Sequence, residues 1–254
     1  MRKMLLLRLT VAKVAMVLAV VPVAVGCECI FRADFNADLV DSPPDTTLPG
    51  NPPGDSLALN TSAGDIRVRA SVDDLTDQPV ELRVWEIRST ATAAGDLADH
   101  SVQAKMSGPK GGVGLYGRVA GTPPTTGKWV ANWRGLVTFD RSYHPDGAMV
   151  FRDSGGLILA EVEYYYERIY FNDLSDIDVT YERGVSQLFM VTIDLDARTV
   201  SLSVDGVAVG SCQNLNFANP AASDLAQMNF EVHGSGPQGF ALDALSICAV
   251  PQED

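Results

Sequence analysis

Period-two alternation of apolar and polar residues recurs through most of the chain, and helical periodicity is almost absent downstream of the first 26 residues. In Ile66-Arg67-Val68-Arg69-Ala70-Ser71-Val72 the apolar residues take one parity and the polar residues the other, which predicts a half-buried antiparallel strand. Val80, Leu82 and Val84 repeat the pattern, as do Phe189, Val191, Ile193 and Leu195, then Val200, Leu202 and Val204. Asp194 to Thr199 joins two of these runs as a short hairpin, and Asp205-Gly206 supplies turn chemistry for the next. Further strands are predicted over 112–120, 128–140, 148–152, 157–171, 225–234 and 240–249. About a dozen strands in one chain predict an all-β protein, a two-sheet antiparallel β-sandwich or jelly roll.

The first 26 residues read differently. A basic start, an apolar stretch from Ala15 to Val25 interrupted by Pro22, and small residues before a cysteine make a secretory signal too short to span a bilayer. Ala24-Val25-Gly26-Cys27 resembles the lipobox of bacterial lipoproteins. That resemblance implies acylation (palmitate) of Cys27 as the mature N-terminus and a membrane held through lipid; Glu28, where inner-membrane members often have Asp, implies the outer membrane or cell surface. Residues 27–30 would be the lipidated N-terminus, 31–249 the sandwich and 250–254 a tail. The proline-rich stretch 41–55 is either a tether lifting the domain off the membrane or an ordered loop behind a first strand at Phe31 to Phe35. Export leads to an oxidising compartment, so Cys212 and Cys248 are expected to form a disulfide, the alternative being two buried free thiols; Cys29 is left over.

Charge narrows the partners. The chain has 19 Lys plus Arg against 32 Asp plus Glu, a formal charge of −13, and Arg2, Lys3, Arg8 and Lys13 lie in the leader. So acidic a surface, with no basic stripe, repels phosphate backbones and excludes a nucleic-acid partner. With 46% apolar and 20% charged residues, the chain is too hydrophobic to be disordered.

The run from Phe189 to Gly206, ending in Asp-Gly, resembles the central hairpin of concanavalin A-like lectin/glucanase (laminin G-like) domains. Ala33-Asp34-Phe35-Asn36 and Phe240 to Ile247 are similar to the closing strands of these domains and of carbohydrate-binding jelly rolls. The resemblance covers about 31–249 and implies a fold that hosts many functions, carbohydrate binding and glycoside hydrolysis among them. It also implies a structural calcium where the termini meet. A parity shift in the last strand predicts a bulge near Asp243, which with Asp34 and Asn36 would offer Ca²⁺ hard oxygen ligands.

Candidate chemistry centres on Glu161-Val162-Glu163-Tyr164-Tyr165-Tyr166-Glu167. Laminarinase-like enzymes on this fold use Glu-x-Asp-x-x-Glu; here Glu replaces the middle Asp and the last Glu comes one residue late. In one continuous strand Glu161, Glu163, Tyr165 and Glu167 share a face, with carboxylates two residues apart at about 6–7 Å, a spacing open to glycosidase acid and nucleophile roles. An acidic solvated face is the commoner meaning. Trp129, Ala131, Trp133, Val137 and Phe139 share a parity and read as core. Trp85, beside Glu81 and Arg83, either stacks on a sugar ring or fills an inter-sheet gap. His100, His144 and His233 are isolated, Ser107 to Lys110 lacks the helix start its chemistry needs, and Gly111 to Gly114 precedes no helix. These residues predict a lipid-anchored binding module for polysaccharide, with Trp85, Glu161, Glu163 and Tyr165 as ligand contacts. The alternatives are a glycoside hydrolase using Glu161 and Glu163, or a structural surface protein.

Overall fold

The computed structural model describes residues 28–33, 61–63, 65–70, 83–89, 100–106, 111–119, 121–137, 146–165, 168–172, 179–181, 184–234 and 238–251. In chain order the strands are β1 (Cys29–Ala33), β2 (Thr61–Ala63), β3 (Asp65–Ala70), β4 (Arg83–Ser89), β5 (His100–Met106), β6 (Gly111–Arg118), β7 (Lys128–Val137) and β8 (Asp146–Arg152). They continue as β9 (Ile158–Tyr165), β10 (Arg168–Phe171), β11 (Gln187–Asp194), β12 (Thr199–Val204), β13 (Val207–Ala208), β14 (Leu215–Asn216), β15 (Gln227–Gly234) and β16 (Gln238–Ala249). A ten-stranded sheet runs β13-β12-β11-β7-β16-β1-β2, with β14 on β12, and β5 on β16 carrying β4; a six-stranded sheet runs β10-β9-β8-β15-β6-β3. The two antiparallel sheets bear out the predicted sandwich. Leader, Cys27 and the stretch 41–55 lie outside the described residues. β1, which comes before 41–55, pairs with β2, which comes after it.

The core lies between the sheets, where alternation puts one parity of every strand. Trp133 of β7 stacks on Phe189 of β11 at 5.3 Å between ring centroids, and Tyr164 of β9 meets Phe189, Phe230 and Phe240 edge-on. Trp133 Nε1 donates to the Tyr164 hydroxyl across the gap at 3.1 Å, so the core carries a satisfied polar pair there. Burial pushes the Tyr164 phenol far above its ordinary pKa, which keeps it protonated. Gly135 makes room for this pair, since a Cβ there would come within 2.8 Å of the Tyr164 oxygen. Ala131, Trp133 and Val137 are buried as expected. Trp129 is half-buried and donates from Nε1 to the Thr126 carbonyl, while Phe139 lies outside the described residues.

The predicted β11–β12 hairpin is present, with Phe189 facing Val204 through Asp194 facing Thr199. Asp194 Oδ1 accepts the Ala197 N–H at 2.8 Å and Oδ2 pairs with Lys128 at 3.3 Å. The turn's N–H, then Lys128, hold the Asp194 carboxyl below the ordinary aspartate range. A depressed folded-state pKa gives stability that is present above the unfolded value, about 3.9, and lost as pH falls through the folded one. Asp194→Asn is therefore expected to cost about 1 kcal/mol at neutral pH and to converge on the wild type in acid. Urea titrations at several pH values test this; a penalty constant with pH would contradict it.

Two sequence expectations are corrected. Cys212 does not pair with Cys248: the disulfide joins Cys29 to Cys248, and Cys212 is a buried free thiol in a 3-10 turn, Gly210–Cys212. Cys29 and Cys248 are direct cross-strand partners in β1 and β16. The turn holding Cys212 follows β12 and β13, and β12 stands three strand spacings from β16, about 14 Å, beyond the roughly 7 Å Cα separation a disulfide spans. The run 157–171 is also not one strand. It folds back as β9 and β10, with Arg168 facing Tyr165 and Phe171 facing Val162. Glu167 lies outside the described residues.

Candidate functional site

The outer face of the six-stranded sheet gathers most of the chemistry. Along β9 Val162 and Tyr164 are buried while Glu161, Glu163 and Tyr165 are half-buried on the other side, as alternation predicted. Direct cross-strand partners share a face, so the register builds the rest. Glu161 faces Val150, then Asn229, Tyr116 and Arg67; Glu163 faces Tyr170 on one side and Ala148, Glu231, Gly114 and Arg69 on the other. Tyr165 faces Arg168 and Asp146, and Asp146 faces His233.

These rows form a shallow relief. Ala148 and Val150 of β8 are short and buried, between the longer Glu161 and Glu163 on one side and Asn229 and Glu231 on the other. Tyr165 and Tyr170 pack edge-to-face with centroids 6.1 Å apart, forming an aromatic wall beside the glutamates. Arg152 pairs with Glu231 at 3.7 Å and donates to the Gly156 carbonyl, closing one end. The Asn172 side chain accepts the Glu161 backbone N–H at 2.9 Å, fixing β9 where the glutamates begin. Asn229 is buried; its Nδ2 donates to Gln227 at 3.2 Å, and its Oδ1 has no hydrogen-bond partner among the described residues. A face of this kind offers apolar floor, ring edge, carboxylate acceptors and guanidinium donors together, the mixture that suits a polyhydroxylated ligand.

Of the sequence-predicted contacts, Glu161, Glu163 and Tyr165 are brought together and Trp85 is not. Trp85 stands on β4 of the other sheet, at a register position aligned with Ala104, Phe240 and Val137. Tyr170, Arg152, Asn229 and Glu231 were missed as site residues. For Tyr170, Asn229 and Glu231 the signal was alternation in 168–171 and 227–233, which marks outward positions without saying what they border; Arg152, at the end of the apolar run 148–151, carried no such signal. The bulge expected near Asp243 is present: the β16 register shifts between Asp243 and Ser246, and Ala244 has φ 52°. Asp243 is buried, with Oδ1 accepting the Ala244 N–H at 2.7 Å. Asp34 and Asn36 lie outside the described residues, and no group of three His, Cys, Asp or Glu disposed to hold a metal occurs among the described ones. On the opposite sheet Lys128, Thr192, Asp194, Thr199, Ser201, Gln213 and Asn214 line a polar hollow without an aromatic ring.

No protein-family model matches the chain, and no curated protein matches it in sequence. Similar solved structures exist. The catalytic domain of a glycoside hydrolase family 131 protein from Coprinopsis cinerea superposes with a TM-score of 0.55 at 12% identity, over 89% of this chain and 96% of that one. A GH131 β-glucanase catalytic domain from Podospora anserina gives 0.48 at 10% identity, over 72% and 84%. A sialidase gives 0.47 at 12% identity over 71% of this chain, which spans only 18% of the sialidase. At such identities the first of these speaks to fold alone, and the other two add nothing to it. The chain is an all-β, two-sheet antiparallel sandwich of the jelly-roll, concanavalin A-like kind.

Proposed function

We propose that this is an exported, lipid-anchored envelope protein whose sandwich binds polysaccharide on the outer face of the six-stranded sheet. The observation that carries the reading is the clustering of Glu161, Glu163 and the Tyr165–Tyr170 pair on one face beside the short side chains of β8. A sugar ring would lay its C–H face on a tyrosine and direct hydroxyls to the carboxylates. A structural Ca²⁺ at Asp34, Asn36 and Asp243 belongs to the same proposal.

Hydrolysis by Glu161 and Glu163 is the second reading, and a structural neighbour of matching extent is a glycoside hydrolase catalytic domain. Binding ranks first because the Glu-x-Asp-x-x-Glu pattern is not kept here: Glu163 replaces the middle Asp and Glu167 comes one residue late. The purified domain is expected to be retained on an insoluble polysaccharide without releasing reducing sugar. Tyr165→Ala or Tyr170→Ala should each weaken retention about tenfold, the loss of one ring contact at about 1.4 kcal/mol. Reducing sugar that disappears in Glu161→Gln or Glu163→Gln would move the assignment to the hydrolase, and no retention on any glycan would leave the structural role.

A further inference from the structure

We infer that the domain stands directly on a phospholipid bilayer, seated on the end of the sandwich formed by the turn 195–198 and the segment 121–127, with no flexible stalk. The inference rests on the lipid-anchored reading of Cys27. Only Glu28 separates Cys27 from Cys29, and Cys29 is bonded to Cys248 of β16. Glu28 is fixed as well, its carbonyl accepting the Ala249 N–H at 2.8 Å. The acylated residue therefore sits one Cα step, about 3.8 Å, from backbone that belongs to the sheet.

The contacts around that corner define which end it is. The start of β1 and the end of β16 meet there, and the Val250 N–H donates to the Lys128 carbonyl at the start of β7. The Leu195 N–H donates to the Gly127 carbonyl, and the Gly127 N–H to Asp196 Oδ2 at 2.9 Å, bringing in the β11–β12 turn. The disulfide makes the seating permanent. Without it the five residues of β1 could peel from β16 and lengthen the leash by about 17 Å. The outer face of the six-stranded sheet would then open sideways, parallel to the membrane. Its Arg118–Gln227–Arg152 row would be next to lipid, because the Leu225 N–H donates to Pro124 and the Ala226 N–H to Arg152.

The full-length lipoprotein in phosphatidylcholine vesicles, doped with a headgroup spin-labelled lipid, tests this. A fluorophore is placed on Ala197→Cys in the near turn or on Val207→Cys, exposed beyond the far end of β12; Cys212 is buried and does not compete for label. The six residues of β12 put the two positions about 20 Å apart along the strand direction. Quenching is expected to be about threefold or more stronger at position 197 than at 207, and a Gly-Ser insertion of about ten residues after Cys27 should erase the difference while the protein still floats with the vesicles. Floating protein quenched equally at both positions, or an insertion without effect, overturns the seating alone. Protein that does not float and carries no acyl mass overturns the anchor, and the seating with it.

Discussion

Replacing Cys29 and Cys248 together by Ala is expected to lower the thermal midpoint by roughly 10 °C or more. The bridge spans 219 residues of sequence, nearly the whole domain, so it removes more loop-closure freedom from the unfolded chain than any internal bridge would. The chain-entropy relation puts this at about 5 kcal/mol, in a size class where each kcal/mol moves the midpoint by about 2–4 °C. The same bridge predicts the labelling pattern under denaturing, non-reducing conditions: Cys212 reacts, and Cys29 and Cys248 do not. Burial raises the Cys212 thiol pKa, so in the folded protein it should be inert too. Labelled Cys29, or an unchanged melting curve in the double variant, would contradict the bridge.

Trp133→Ala is expected to be the most damaging single substitution, leaving little folded protein. The ring is fully buried, stacked on Phe189 and tilted against Phe151, and its removal costs about 3–5 kcal/mol in lost transfer and cavity energy. It also strips the Tyr164 hydroxyl of its donor at the centre of the core, about 1–3 kcal/mol more. The total approaches the whole stability of an ordinary domain, about 5–15 kcal/mol. Trp133→Phe separates the parts, since it keeps most of the ring and loses the N–H. A denaturant midpoint for Trp133→Phe well above that for Trp133→Ala is expected; equal midpoints would mean that the packing of this ring contributes nothing. The effect reaches the candidate site, because Tyr164 lies between Glu163 and Tyr165, and its inward bond helps set the face those two present.

Period-two alternation was enough to place Phe189, Val191, Val200 and Val204, and the hairpin register follows from it because one face of each strand must be buried. The bulge at Asp243 was legible for the same reason: apolar parity cannot shift within a strand without an extra residue. Parity also held the clue to the turn between β9 and β10. Buried positions are even at Val162 and Tyr164 but odd at Ile169 and Phe171, an exchange that needs either a bulge or a turn between them. The sequence between β9 and β10 has no Gly, Asn or Asp and so no turn signal of its own, and the run reads as unbroken. The disulfide was illegible because it depends on which strands are neighbours. Cys29 becomes the partner of Cys248 only once the first and last strands pair. The site was legible strand by strand and not as a face: alternation turns Glu161, Asn229, Glu231 and Tyr170 outward, but the order β10-β9-β8-β15-β6 is what makes them neighbours. For the same reason the sequence could not tell that Trp85 stands on a strand of the other sheet, since nothing local assigns a strand to one sheet or the other.

The central claim is that the outer face of the six-stranded sheet takes polysaccharide, and amide chemical-shift mapping of the isotopically labelled domain during titration with a soluble oligosaccharide tests it most directly. Shifts are expected to concentrate on β9, β10, β8 and β15, around Glu161, Glu163, Tyr165, Tyr170 and Glu231, and to be absent from Thr192, Thr199 and Ser201 on the opposite sheet. Shifts confined to the ten-stranded sheet, or none with any oligosaccharide, would contradict it.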